Sequence, residues 1–204
     1  MMGVTRAILR YLGYPDDATP DMQTAQLLQK ALREVENIAQ FQYRFAQFSQ
    51  PFDFMLQHES YLQYMHKRTE FLLIATTLGV QIDRFLERLQ QIDMGYAVIF
   101  DATASVYLEN KADEFEATLP YPHRGFRFCP GYGGTPLMDN QKIGAILKAE
   151  KIGITFLDSG LMIPLKSMTG IICLSDEEIS TNCSHCVAKN SCAFRERGTT
   201  CWKK

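Results

Sequence analysis

Arg124-Gly-Phe-Arg-Phe-Cys-Pro-Gly-Tyr-Gly-Gly134 places two arginines, three aromatic rings and four glycines in eleven residues. Turning the chain needs Gly and Pro alone, because Gly supplies positive φ and Pro a fixed one. The arginines and Tyr132 are surplus to that task. Arg127 offers a planar fork that suits a carboxylate or phosphate, and the neighbouring glycines let a ligand approach bare backbone. Two readings fit this local chemistry. One is a pocket wall for a small polar ligand with an anionic end. The other is a surface Ω-loop with solvated arginines over packed aromatics.

The chain around the loop is of ordinary composition. Its 204 residues suffice for one sizeable core, and a net charge of -2 with 22% charged residues points to neither nucleic acid nor a membrane surface as a partner. No apolar run has the length of a transmembrane helix, and the start, MMGVTRAILRYLGYPDD, lacks the cleavage site of a secretory signal, so a cytoplasmic protein is expected.

Hydrophobic periodicity predicts an α+β fold. Thr19-Pro20 reads as the start of a helix that carries Leu28, Ala31, Leu32 and Val35 and ends near Phe41. Tyr43 to Leu56 suits strand and turn, and FLLIATTLG (71–79) suits a buried strand ending at a Gly turn. A short helix follows at Ile82 to Leu89, then a longer one from about Met94 to Leu119, stopped by Pro120 and Pro122. Asp139 or Asn140 is placed to cap a further helix terminated by Gly153. Two strands complete the pattern, ITFLD and LMIPLKSMTGIICL. The composition shifts near Ser175, which divides the chain into a domain over 1–175 and a Cys-rich tail over 176–204.

In that tail Cys183, Cys186, Cys192 and Cys201 present a CxxC knuckle followed by two further thiols. In a reducing compartment such a set points to a metal rather than disulfides, either zinc or an iron–sulfur cluster. His185 reads as a bystander within the knuckle, and Cys173, inside an apolar strand, as core.

RGFRFCPGYGGTP followed by MIPLKSMTG resembles the activation domain at the carboxyl end of cobalamin-dependent methionine synthase. Gly125, Arg127, Pro130, Gly131, Tyr132, Pro136, Met162, Pro164, Thr169 and Gly170 follow that family's order, and Asp93, Tyr96 and Glu109 fall at spacings like those of its acidic helix. The resemblance implies an α+β fold with a twisted antiparallel sheet and flanking helices. It also implies a separate activation protein that binds S-adenosylmethionine and supports reductive remethylation of an inactive Co(II) corrinoid. Methyltransferase activity would appear only with a corrinoid-bearing methionine synthase or related corrinoid protein, and with a reductant protein. Cobalamin would enter only through that partner.

By the same resemblance Arg127 holds the ligand's carboxylate, and Glu109 meets its ammonium or ribose hydroxyls. The backbone around Cys129 and Gly131 bonds its adenine or methionyl end. Tyr132 takes the catalytic position, between ligand and docked corrin. Arg124 is expected at the surface. A different class of function keeps the tail's metal and drops the reaction: a docking or chaperone module for a corrinoid protein.

Overall fold

The computed structural model describes residues 2–177 apart from Asp16 and Lys67. The expected thiolate set of Cys183, Cys186, Cys192 and Cys201 lies outside the described residues. Among the described residues no group of three or more His, Cys, Asp or Glu side chains could hold a metal ion, and no described helix is long and apolar enough to cross a membrane.

FLLIATT forms β2 (Phe71–Thr77), buried at every position. It is buried because it is central: β1 (Gln42–Phe48) pairs with it antiparallel from Gln42↔Thr77 to Phe48↔Phe71, and β5 (Ser167–Cys173) pairs on its other side from Phe71↔Cys173 to Thr77↔Ser167. Alternate residues of a strand face opposite ways, and each face of β2 has its own cover. Phe71, Leu73 and Ala75 join a core with Met55, Tyr61, Phe128, Ile143 and Ile171. Leu72 and Ile74 turn the other way, towards Phe115 and Leu119.

The first face is covered by α3 (Asp53–Leu56), α4 (Glu59–Met65) and α7 (Asp139–Leu147). The second meets the C-terminal half of α6 (Met94–Ala117), whose Phe115 stacks on Tyr43 of β1 with ring centroids 3.8 Å apart. The rest of α6 belongs to a helical layer with α1 (Met2–Tyr11), α2 (Met22–Ile38) and α5 (Val80–Ile92). A helix that serves two cores must be apolar on more than one side. In α6, Ala97, Ala104, Ala112 and Phe100 face one cluster, while Ala102 and Val106 face α1 and α2. The result is an α+β fold, an antiparallel sheet with flanking helices.

Several boundaries differ from the sequence expectation. The helix expected from Thr19-Pro20 to Phe41 is shorter at both ends: Asp21 caps it, accepting from the Thr24 amide at 2.7 Å, and it stops at Ile38. Asp139 and Asn140 do not cap α7: both are buried, Asp139 accepts from the Tyr61 hydroxyl at 3.1 Å and pairs with Lys142 of its own helix at 2.8 Å, and Asn140 bonds Gly160 and Thr169. α7 ends at Lys148, in the left-handed conformation, and Gly153 ends a separate turn over 149–152. Tyr43 to Leu56 contains, beyond β1, the short helix α3. LMIPLKSMTGIICL is divided at Pro164, which cannot donate to a ladder: Met162–Ile163 (β4) pairs with Thr155–Phe156 (β3), whereas Ser167 onward pairs with β2. The Ile163–Pro164 peptide is cis.

The β3–β4 hairpin seats on α7 through Gly144, where an added β-carbon would lie 2.1 Å from the Phe156 ring. Alanine is ordinarily better than glycine inside a helix by about 1 kcal/mol. Here the sign reverses. Gly144→Ala is expected to lower unfolding free energy by about 1–3 kcal/mol, measured by urea denaturation.

Candidate functional site

After α6 the chain turns back and runs beside β5 as a ragged fourth edge. Gly125 donates to the Cys173 carbonyl at 2.8 Å, and Phe128 and Ile171 exchange backbone bonds of 2.9 Å each. Tyr64 of α4 pushes its hydroxyl between this edge and β5, accepting from the Cys173 amide at 3.0 Å and donating to the Phe126 carbonyl. A β-carbon at Gly125 would stand 2.8 Å from that hydroxyl, so this glycine is needed for the approach. Phe128 points into the sheet's core against Tyr61 and Tyr64.

Beyond Pro130 the loop closes on itself. Gly131, at φ 95°, donates to Thr135 Oγ1 at 3.0 Å, and that hydroxyl donates to the Tyr132 carbonyl at 2.8 Å. Ser60 of α4 donates to the Gly133 carbonyl. Tyr132 is left standing out, 61% exposed.

Arg127 points to the opposite face of the edge from Phe128 and passes over β5 at Gly170. A β-carbon there would meet Arg127 Cγ at 2.6 Å. The guanidinium then reaches α6, where Glu109, Asp113 and Glu116 lie on one face at spacings of four and three residues. It donates to Glu109 at 2.9 Å, to Asp113 at 3.2 Å and to Glu116. The Arg127 side chain is 6% exposed and that of Glu116 11%. Burial opposes the arginine's charge, but Glu116 and Glu109 outweigh it and raise its pKa. Glu116 moves up from the usual carboxylate range because desolvation exceeds the pull of Arg127.

In front of this cluster is a cavity of about 260 Å³, near the lower bound for small-molecule sites. Glu109, Cys129 and Tyr132 line it, together with Tyr11 from α1, Asn140 from α7, and Lys166 and Thr169 from the β4–β5 segment. Arg127 is not among the lining residues. It stands behind Glu109, and the Gly131 amide is already bonded within the loop. The Cys129 thiol, pushed up to about 12 chiefly by burial, is a neutral group at physiological pH and no thiolate nucleophile.

Asn140 braces the floor: its amide donates to the Gly160 carbonyl at 3.0 Å, and its oxygen accepts from Thr169 Oγ1 at 2.7 Å. Other residues named from sequence take different duties. Asp93 caps α6 through the Tyr96 amide at 2.9 Å, and Tyr96 donates to Glu34 of α2 at 2.6 Å. Arg124 donates to the Tyr121 carbonyl at 2.9 Å and is half-buried rather than fully at the surface. Cys173 is core.

Tyr11, Lys166, Asn140 and Thr169 escaped the sequence reading as site residues. Asn140 and Thr169 are joined only through the fold, and Tyr11 sits in a helix far from the loop in sequence. Asp113 and Glu116 had a readable signal, since with Glu109 they form an acidic stripe one and two turns along a single helix.

This arrangement, a glycine-rich edge loop clamped to an acidic helix beside an antiparallel sheet, places a cavity at the edge of an α+β fold. A solved structure shares the fold: "Crystal Structure of the MetH Reactivation Domain bound to AdoHcy" superposes with a TM-score of 0.61 and 14% identity, covering 91% of this chain and 76% of that one. No protein-family model and no curated protein matches the sequence.

Removing the guanidinium leaves Glu116 buried without its partner, and breaking such a pair costs about 3–5 kcal/mol. Arg127→Met is therefore expected to lose stability in that range by chemical denaturation. Because the Glu116 pKa is raised on folding, its contribution is fully present below the pKa of a free glutamate and is lost as pH rises through the folded value. Without Arg127 that value rises further, so the loss should be smaller at pH 5 than at pH 8.

Proposed function

We propose that this chain is an S-adenosylmethionine-binding activation protein, supporting reductive remethylation of the Co(II) corrinoid of a methionine synthase or a related corrinoid methyltransferase. The observation that carries the proposal is the cavity itself. It opens where the Arg-x-x-Pro-Gly-Tyr loop meets Glu109, in a fold shared with a MetH reactivation domain bound to AdoHcy.

The lining suits such a ligand. Glu109 presents a carboxylate to a cationic ammonium or to ribose hydroxyls, and Tyr11 and Tyr132 present flat faces to a purine. Cys129 supplies a small neutral contact where a larger side chain would fill the space. Gly131 and its neighbours bring backbone close, and Arg127, fastened to Glu109, fixes that carboxylate's direction. Bound there, S-adenosylmethionine would supply the methyl group that the partner's reduced cobalt accepts. The protein's own share is position and electrostatics, with no nucleophile required of its side chains. Tyr132, exposed and lining the cavity, would stand between the ligand and an incoming partner.

Titration calorimetry with S-adenosylhomocysteine tests the cavity, and the decline of the Co(II) absorption band in a mixture of corrinoid protein, reductant and S-adenosylmethionine tests the reaction. The wild-type chain is expected to bind and to accelerate remethylation. Glu109→Gln should weaken binding by ~10-fold, as for loss of a hydrogen bond to a charged group. A chain that docks on a corrinoid protein but takes up neither nucleoside would instead be a docking or chaperone module.

A further inference from the structure

Tyr132 stands on a stretch of chain with little stiffness of its own. Gly131, Gly133 and Gly134 all hold positive φ, and residues 131–134 are exposed. Glycine loses the most conformational freedom on ordering and has no side chain to pack. The pose of Tyr132 is therefore set by groups bonded to the backbone around it.

Thr135 is the chief of these. It is 5% exposed, between the exposed tip and the exposed Leu137 and Met138. Its hydroxyl accepts from the Gly131 amide at 3.0 Å and donates to the Tyr132 carbonyl at 2.8 Å, and its own amide donates to the same carbonyl at 3.1 Å. One residue thus brackets Tyr132 from both sides. Behind Thr135 the support is polar and buried. The Tyr61 hydroxyl lies against that of Thr135 and donates to Asp139 Oδ2 at 3.1 Å. Asp139, 0% exposed, pairs through its other oxygen with Lys142 at 2.8 Å. A line of polar groups so runs from a surface lysine on α7, past the sheet's core, to the tip of the loop. Stability alone does not account for it, because apolar residues of similar volume often serve as well as a buried ion pair. What directional bonds add is one fixed arrangement.

We propose that Thr135, backed by Tyr61 and Asp139, is a positioning residue of the site. It holds Tyr132 in the pose from which that side chain meets a corrinoid partner, and so governs methyl transfer more than uptake of the nucleoside. Thr135 itself does not line the cavity. The inference rests on the proposed activation function and adds to it a residue that acts through another.

In a mixture of corrinoid protein, reductant and S-adenosylmethionine, Thr135→Val should slow the decline of the Co(II) band by ~10-fold, as for loss of a buried hydrogen-bonding group. Its affinity for S-adenosylhomocysteine, by calorimetry, should stay within about twofold of wild type, and Thr135→Ser, which keeps the hydroxyl, should restore the rate. Tyr132→Ala should slow the reaction as well, and adding Thr135→Val to it should cost less than about twofold more, because no ring remains to be positioned. Should Thr135→Val fail to fold, Tyr61→Phe takes its place in each comparison with the same pattern expected. Equal fractional losses with and without the Tyr132 ring, or a loss of affinity as large as the loss of rate, overturn the assignment. A wild-type chain that binds no S-adenosylhomocysteine, or a Tyr132→Ala chain that remethylates cobalt as fast as wild type, refutes the functional reading on which it rests.

Discussion

Arg127 can reach α6 because Gly170 offers no β-carbon where the arginine's stem crosses β5, and much of the site's geometry follows from that crossing. The crossing ties the loop, the sheet's edge and the longest helix by one side chain. Buried charge is costly unless paired and hydrogen-bonded, and here the pairing is supplied by a stripe of acids on a single helical face. The arrangement therefore sets the loop's position along α6 as well as its distance from it. Sliding the loop by a residue would exchange Arg127 for Phe128 or Phe126, one of which belongs to the sheet's core.

The same constraint explains why two separated sequence segments form one signal. Gly125, Arg127 and Gly131 lie in the loop, and Thr169 and Gly170 in β5. They meet because the loop is the strand's neighbour. Glycine at 170 accommodates arginine at 127, and Thr169, facing the other way, holds Asn140 under the cavity. The sheet's period of two assigns these adjacent residues to different tasks.

The fold was largely legible from hydrophobic pattern. FLLIATT, the helix from Met94 and the prolines after it read correctly because burial and chain-breaking are local properties. The misreadings have a common cause. Asp139 and Asn140 look like helix caps by type, yet both side chains are buried and bonded elsewhere than at the helix start, and LMIPLKSMTGIICL looks continuous by hydropathy, yet a proline interrupts its ladder. At the site, Glu109, Cys129 and Tyr132 were found through the motif, whereas Lys166 and Tyr11 were not. A lysine's significance depends on which wall it is folded into, and nothing in LKSMTG states that Ser105 and Asp101 wait opposite.

Tyr64 has a consequence of its own. Its phenolic oxygen sits between the arginine-bearing edge and β5 as a spacer, one atom thick and polar on every side. A regular ladder would close that gap. The spacer interrupts the ladder at one point, and the exchange between Phe128 and Ile171 restores it before the glycine-rich tip. The seating of that edge against β5 is thereby shared with α4, a helix that supplies no residue to the walls of the hollow beneath Tyr132.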